Sequence, residues 1–156
     1  DDVESRGLGD VYKRQEQIRW GVDVNLMGTV YFCHEAMRQM RKQKSGVIIN
    51  FGSITGLEGD TCGLDYAISK SAIMNGLNKS LAKEGARYGV RVNCVAPGPV
   101  LTRPGMANMK TALGRAADPQ EIVDMVLYLA SERSSFVTGA TILMDGGRHL
   151  LMEDGV

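Results

Sequence analysis

Three side chains between residues 53 and 70 could carry chemistry together: the hydroxyl of Ser53, the phenol of Tyr66 and the ammonium of Lys70. Tyr66 and Lys70 are spaced i, i+4, so on a helix they leave the same face one turn apart. A free phenol, titrating near pH ~10, is a poor acid or base at neutral pH. A cation about 4 Å away at an effective dielectric near 20 contributes on the order of 4 kcal/mol in favour of the phenolate. A phenol tuned in this way can exchange a proton with a carbonyl or alcohol oxygen. A nearby hydroxyl such as Ser53 could hold the same oxygen by hydrogen bonding. Alone the pair is weak, since chance supplies a Tyr-x-x-x-Lys about one time in five. Its bland alternative is a surface tyrosine and a solvated lysine.

The elements that must position these groups can be read in order. Glu16 to Lys44 has apolar residues at spacings of three, four and seven (Val24, Met27, Val30, Tyr31, Met37, Met40), which predicts a helix. Its end is basic, with Arg38, Arg41, Lys42 and Lys44 before Gly46, as a helix carboxyl terminus favours. Asn25 lies between Val24 and Leu26 on that helix. It reads either as a polar residue on the helix surface or as a buried amide that breaks the helix ladder and organises water. Val47 to Phe51 is short, apolar and β-branched, which predicts a buried parallel strand. Ser53 then falls just past a strand carboxyl end, where open α/β sheets place ligands. The spacing predicts a glycine-rich loop from Ile54 to Asp65, a long helix from Tyr66 to about Arg87, and a second strand from Val90 to Ala96. Pro97-Gly98-Pro99 ends that strand. Leu101 to Ala117 reads as a mobile segment over a site, with at most short helices. Asp118, Pro119 and Glu121 form a capping-box pattern for a helix running to about Ser131. Ala140 to Met144 predicts a third strand. Alternation of strand and helix implies βαβ crossovers and a doubly wound parallel sheet.

Composition narrows the function classes. Lysine plus arginine and aspartate plus glutamate both number 18, so no polybasic or polyacidic partner is implied and nucleic acid is disfavoured. The cysteines, Cys33, Cys62 and Cys94, are odd in number and form no C-x-x-C pair, which disfavours a disulfide framework or a zinc site and suits a reducing, cytoplasmic compartment. His34 and His149, the two histidines, give a histidine triad or metal site little material. No run of 18 apolar residues is present, so no membrane partner is expected.

Residues 1–15 are polar and aperiodic, and Asp10 to Gln15 resembles the translation of a transposon adapter used in DNA library preparation. We read 1–15 as non-native, 16–147 as a catalytic half-domain and 148–156 as a tail. Gly7 and Gly9 do not complete a G-x-G-x-x-G, because position 12 is Tyr.

Taken together, residues from about Glu16 to Gly147 resemble the short-chain dehydrogenase/reductase family. The likeness rests on VNLMG around Asn25, NFGSITG around Ser53, YAISK with Tyr66 and Lys70, VRVNCVAPGPVLT, ADPQEI and VTGATILMDGG. Asn25 precedes Ser53 by 28 residues, and Ser53 precedes Tyr66 by 13. The resemblance implies an incomplete Rossmann-like doubly wound α/β fold, its carboxyl-terminal half only. It implies an NAD- or NADP-dependent oxidoreductase that interconverts a secondary alcohol and a ketone, and the closest wording is that of 3-oxoacyl-acyl-carrier-protein reductases. Tyr66 would be the general acid/base. Lys70 would strengthen that phenol as an acid and bind the nicotinamide ribose. Ser53 would polarise the carbonyl, and Asn25 would hold a relay water. Pro97, Gly98, Val100 and Thr102 would contact the nicotinamide end; for Thr102 a simple turn role is the alternative. A homotetramer or homodimer would form through the helices starting at Tyr66 and Asp118. Met106, Met109 and Leu113 in the segment over the site would suit an apolar substrate, a 3-oxoacyl thioester first, a hydroxysteroid or sugar alcohol next.

Two departures stand out. The family's glycine-rich T-G-x-x-x-G-x-G loop is not in this sequence, nor is the residue that selects NAD or NADP. About the first hundred residues of the family pattern have no counterpart, so the Val47–Phe51 strand is expected at a sheet edge. This leaves open a truncated inactive fragment, or a protein serving assembly. Second, Lys70 to Glu84 holds one residue more than the family pattern, which predicts a π-bulge or kink between Ser71 and Lys79.

Overall fold

A computed structural model describes residues 15–60 and 63–151. Helix α1 (Gln15–Val22) passes through a π turn (Asp23–Met27) into α2 (Gly28–Gln43), and strand β1 (Gly46–Phe51) follows. A short helix α3 (Thr55–Glu58) precedes α4 (Leu64–Ala72), a second π turn (Ile73–Leu77) and α5 (Asn78–Ala86). Strand β2 (Val90–Pro97) leads through a 3-10 turn (Pro104–Asn108) to α6 (Pro119–Ala130), β3 (Thr141–Met144) and a last 3-10 turn (Arg148–Leu150). The three strands pair in parallel in the order β1-β2-β3, with Ile48 opposite Val92 and Val95 opposite Ile142. Among the described residues β1 is an edge strand, as expected.

The strands form where β-branched residues cluster, and their alternation sorts the core into two faces. On one face Ile48, Val90 and Val92 pack with Cys33 and Met37 of α2 and Ala82 of α5. Ile73 and Met74 cover Cys94 and Ala96 on the same side. On the other face Ile49, Val95 and Ile142 meet Ile122 and Leu129 of α6. Helices therefore cover both faces of the sheet, the layering of a doubly wound fold. All of Val92, Cys94, Val95 and Ala96 are fully buried. That fits a parallel strand with both faces covered.

Of two helix irregularities, one falls in the predicted window and the other agrees with one of the two readings of Asn25. The turn at Asp23–Met27 contains Asn25, and the turn at Ile73–Leu77 lies within the window of the extra residue. Side-chain hydroxyls enter the ladder at both: Thr29 Oγ1 donates to the Asn25 carbonyl and Thr141 Oγ1 to the Met74 carbonyl, each at 2.7 Å. The second turn lets α4 keep Ser69 and Ile73 inward while α5 does the same with Asn78 and Ala82. Deleting Gly76, which is exposed and touches nothing beyond its own helix, should restore a continuous α-ladder. The expected result is a folded protein whose melting temperature lies within about 5 °C of the parent. Deleting Ala82 instead should unfold it, because every later side chain on the helix would rotate by about 100°.

The stretch 54–65 is less loop-like than its glycines suggest. Its first part closes into α3, with Glu58 N–H donating to the Ile54 carbonyl. The next helix starts at Leu64, two residues before Tyr66, because the Gly63 carbonyl already accepts from Ala67 N–H. Likewise the first helix ends at Gln43, where Lys44 turns into the left-handed region at φ 56°. Asp118 caps α6 as expected, accepting from Gln120 N–H while Glu121 accepts from Asp118 N–H.

Glu121 is also held by both terminal nitrogens of Arg115, at 2.6 and 2.8 Å, which ties the end of segment 101–117 to α6. The hydrogen bonds from Arg115 pull the Glu121 carboxyl from 4.5 to about 2. A carboxylate depressed on folding stabilises above its unfolded pKa and loses that contribution as pH falls through the folded one. Glu121→Gln should therefore lower the melting temperature at pH 6, and the gap from the parent should close between about pH 4.5 and 2. Thermal melts across that range check it.

Candidate active site

Ser53 is two residues past the last residue of β1, Phe51. It is buried, and its Oγ accepts from Thr55 N–H at 3.2 Å. Tyr66 lies in the first turn of α4 and is partly exposed. Lys70, one turn on, donates from Nζ to the Phe51 carbonyl at 2.8 Å. The same Nζ stands 5.5 Å from the centre of the Tyr66 ring. Tyr66 and Lys70 thus share a helix face, and the lysine bridges that face to the end of the strand that bears Ser53. Burial pushes the Lys70 ammonium below its ordinary range, and the neighbouring Cys94 opposes this only in part. The Cys94 thiol, also buried, is pushed up to about 11.

The first helix is seated against α4 at Gly21. A methyl group there would overlap the Asp65 carboxylate, so only glycine lets the two helices approach this closely. That contact brings the π turn bearing Asn25 beside the first turn of α4. Asn25 itself is half-buried, and its Nδ2 donates to the Gly21 carbonyl at 2.9 Å. The ladder is broken here, as one of the two readings expected, but Asn25 is half-buried rather than buried and its Nδ2 is engaged within its own helix.

The second strand ends beside the same place. Ile54 N–H donates to the Pro97 carbonyl at 2.9 Å, and Gly98 N–H to the Met144 carbonyl at 3.0 Å. Val100 bridges to Ala117. Thr102 is exposed and its hydroxyl stays within its own turn, on the Val100 carbonyl at 3.4 Å. Pro97 is therefore joined to the residue after Ser53, while Thr102 sits in a turn further out. A phenol, an ammonium and a hydroxyl at adjoining strand and helix ends can exchange a proton with a substrate oxygen. They can also meet the hydroxyls of a sugar.

These observations agree with the comparisons to known proteins. The family model described as Enoyl-(Acyl carrier protein) reductase matches residues 10–149. The chain belongs to the short-chain dehydrogenase/reductase family. It is 40% identical over 146 residues to Carbonyl reductase family member 4 of Xenopus tropicalis, covering 89% of this chain and 60% of that one. It is 41% identical over 132 residues to a 3-alpha-(or 20-beta)-hydroxysteroid dehydrogenase of Mycobacterium bovis, covering 81% and 50%. Among solved structures, a 3-oxoacyl-[acyl-carrier protein] reductase from Brucella melitensis with bound NAD superposes with a TM-score of 0.81 at 36% identity, covering 87% and 53%. This short-chain dehydrogenase/reductase chain thus spans between half and three-fifths of the length of these relatives. The fold expected from the family is present as a three-stranded parallel part.

Other features were not foreseen. A cleft of about 510 Å³ opens between α6, β3 and residues 111–117, lined by Pro99, Leu113, Met125, Met144 and Leu150 among others. Ser53, Tyr66 and Lys70 do not line it. Asp145 is buried beside it and held by His149. The i, i+4 spacing of Asp145 and His149 is the signal the sequence offers for this pair, and it straddles the boundary of the tail at 148–156. No group of three metal-ligating side chains is found among the described residues, and no helix of them is long and apolar enough to cross a membrane. Cys62 and most of residues 1–15 lie outside the described residues.

Proposed function

We propose that this chain carries the catalytic part of an NAD- or NADP-dependent oxidoreductase that interconverts a secondary alcohol and a ketone. The observation that carries this reading is Lys70 Nζ on the Phe51 carbonyl, one helical turn below Tyr66 and two residues before Ser53. The donor set suits the nicotinamide-ribose end of such a cofactor. Lys70 and Tyr66 would meet the ribose hydroxyls, and Pro97, Gly98, Val100 and Thr102 the ring side. Among the described residues no glycine-rich loop opens a helix for the pyrophosphate. When bound, the cofactor supplies a hydride to the carbonyl carbon.

In the reduction the Tyr66 phenol gives its proton to the carbonyl oxygen, and Ser53 donates a hydrogen bond to that oxygen. Lys70 stabilises the phenolate left behind. The partly desolvated Lys70 ammonium makes this interaction stronger than it is in water. The π turn at Asn25 borders the route by which the phenolate regains its proton, with a water as carrier. A 3-oxoacyl thioester is the first substrate class, supported by the relatives and by the apolar Met106, Met109 and Leu113 of segment 101–117; hydroxysteroids are the second. We place the protein in the cytoplasm, as a homodimer or homotetramer through α4 and α6. Exposed apolar side chains on those helices, Ile68 and Leu127, support the assembly.

Fluorescence titration with NADH and NADPH tests the reading, using the chain alone and the chain joined behind the amino-terminal part of the Brucella reductase. Saturable micromolar binding with quenching is expected of the joined protein. No binding by a folded joined protein would sink the proposal. Binding by the chain alone would rule out the inactive-fragment alternative.

A further inference from the structure

The turn that follows β3 grips three separate parts of the molecule. Its centre is Asp145, which is 5% exposed. Its Oδ1 accepts from Gly147 N–H at 3.1 Å. Its Oδ2 accepts from His149 N–H at 2.8 Å and lies 2.6 Å from His149 Nδ1. Burial raises the Asp145 carboxyl, but the hydrogen bonds from His149 and Gly147 outweigh it and hold it below the usual carboxylate range.

The first part gripped is the Pro97–Gly98–Pro99 turn. A methyl group on Gly98 would stand 2.7 Å from Asp145 Cα, so the two backbones are in direct contact. Gly98 N–H is also bound to the Met144 carbonyl. The second part is the base of segment 101–117. Gly146 and Gly147 both lie in the left-handed region, at φ 62° and 75°, and pack against Thr111 and Ala112. Leu113 N–H donates to the Gly146 carbonyl at 3.0 Å. The third part is the stretch after β1, where Arg148 pairs with Glu58 at 3.4 Å while its Nη1 donates to the Lys110 carbonyl at 3.2 Å.

We propose that Asp145 and His149 are positioning residues: the locked Asp145–His149 pair sets the Gly98 turn and fastens the base of segment 101–117 to the rest of the site. The role in catalysis rests on the oxidoreductase reading, in which Gly98 and that segment flank the reacting groups; the fastening itself does not. Without the His149 ring bond, the Asp145 carboxylate keeps only backbone partners, and the Gly146–Gly147 turn loses its closing contact. The amides that depend on the turn, Gly98 and Leu113, then open more often.

Hydrogen exchange on the full chain measures this without cofactor or turnover. His149→Ala is expected to lower the protection of the Gly98 and Leu113 amides by about tenfold, the effect of losing one charge-assisted hydrogen bond. The β2 amides that pair with β1 should be unchanged. In His149→Asn the Nδ2 group occupies the position of ring Nδ1 and can donate the same bond, so protection should return to within about threefold of the parent. Unchanged exchange at Gly98 and Leu113 in His149→Ala would overturn the proposal. So would an equal loss throughout β2, or failure of His149→Asn to restore protection. Absent cofactor binding would count against the oxidoreductase reading and leave this result standing.

Discussion

Tyr66→Phe is expected to lower carbonyl reduction by about 10³-fold, the usual scale for losing a positioned general acid, while the melting temperature stays unchanged and cofactor binding weakens far less, by the one ribose hydrogen bond of the phenol. The reason is local. Tyr66 is partly exposed, so removing its hydroxyl leaves no buried cavity and no unsatisfied buried partner. The proton that the alcohol needs then has no donor of comparable placement. Lys70→Met should do more than Tyr66→Phe. It should lower turnover and also weaken cofactor binding, since the same ammonium would meet the ribose. A Tyr66→Phe protein that kept more than a tenth of the parent rate would remove Tyr66 from the role of acid.

Ile73→Ala should be the most destabilising single truncation near the site, at about 2–5 kcal/mol. Ile73 has no exposed surface and opens the second π turn, packing with Met74, Cys94 and Ala96. The neighbourhood is poorly able to collapse into the space. Met74 already fills the gap under Gly52, where an added methyl would fall 2.4 Å from its Cγ, and Cys94 sits on the central strand. Set against the 5–15 kcal/mol typical of a folded domain, a loss of this size leaves little margin. Measured where the chain is monomeric, Ile68→Ala, on the exposed face of the same helix, should cost under about 0.5 kcal/mol. Urea unfolding of the two variants side by side isolates the loss of core packing, because both replace isoleucine by alanine on the same helix.

The two π turns show what could be read in advance. The extra residue between Lys70 and Glu84 was countable, and a helix buried on one side can absorb it only by a wider turn or a kink. Asn25 among apolar residues left two readings open, a surface polar residue or an amide that breaks the ladder, and the π turn agrees with the second. The strands were legible because β-branched runs bounded by glycine and proline have few alternatives. The short helix at Thr55–Glu58 was not, since four residues carry no period and its closing bonds start from the strand end at Ser53 and Ile54. Of the expected cofactor contacts, Pro97 and Gly98 lie at the junction of β2, β3 and the residue after Ser53, but Thr102 uses its hydroxyl inside its own turn. The Asp145–His149 pair is not legible in the sequence because its weight comes from burial. A carboxylate at a strand end looks solvated until Gly98 and His149 are seen to close over it.

Isotope transfer addresses the central claim without relying on binding or stability. The chain joined to the amino-terminal part of its Brucella relative is mixed with NADH or NADPH deuterated at C4 of the nicotinamide and with a short 3-oxoacyl thioester. The product is then analysed by mass spectrometry. The site described here predicts one deuterium on the new carbinol carbon, formed with the parent sequence and reduced by about 10³-fold with Tyr66→Phe. A folded, cofactor-bound protein that yields no deuterated alcohol from any ketone offered, or one that yields it equally well with Tyr66→Phe, would contradict the account.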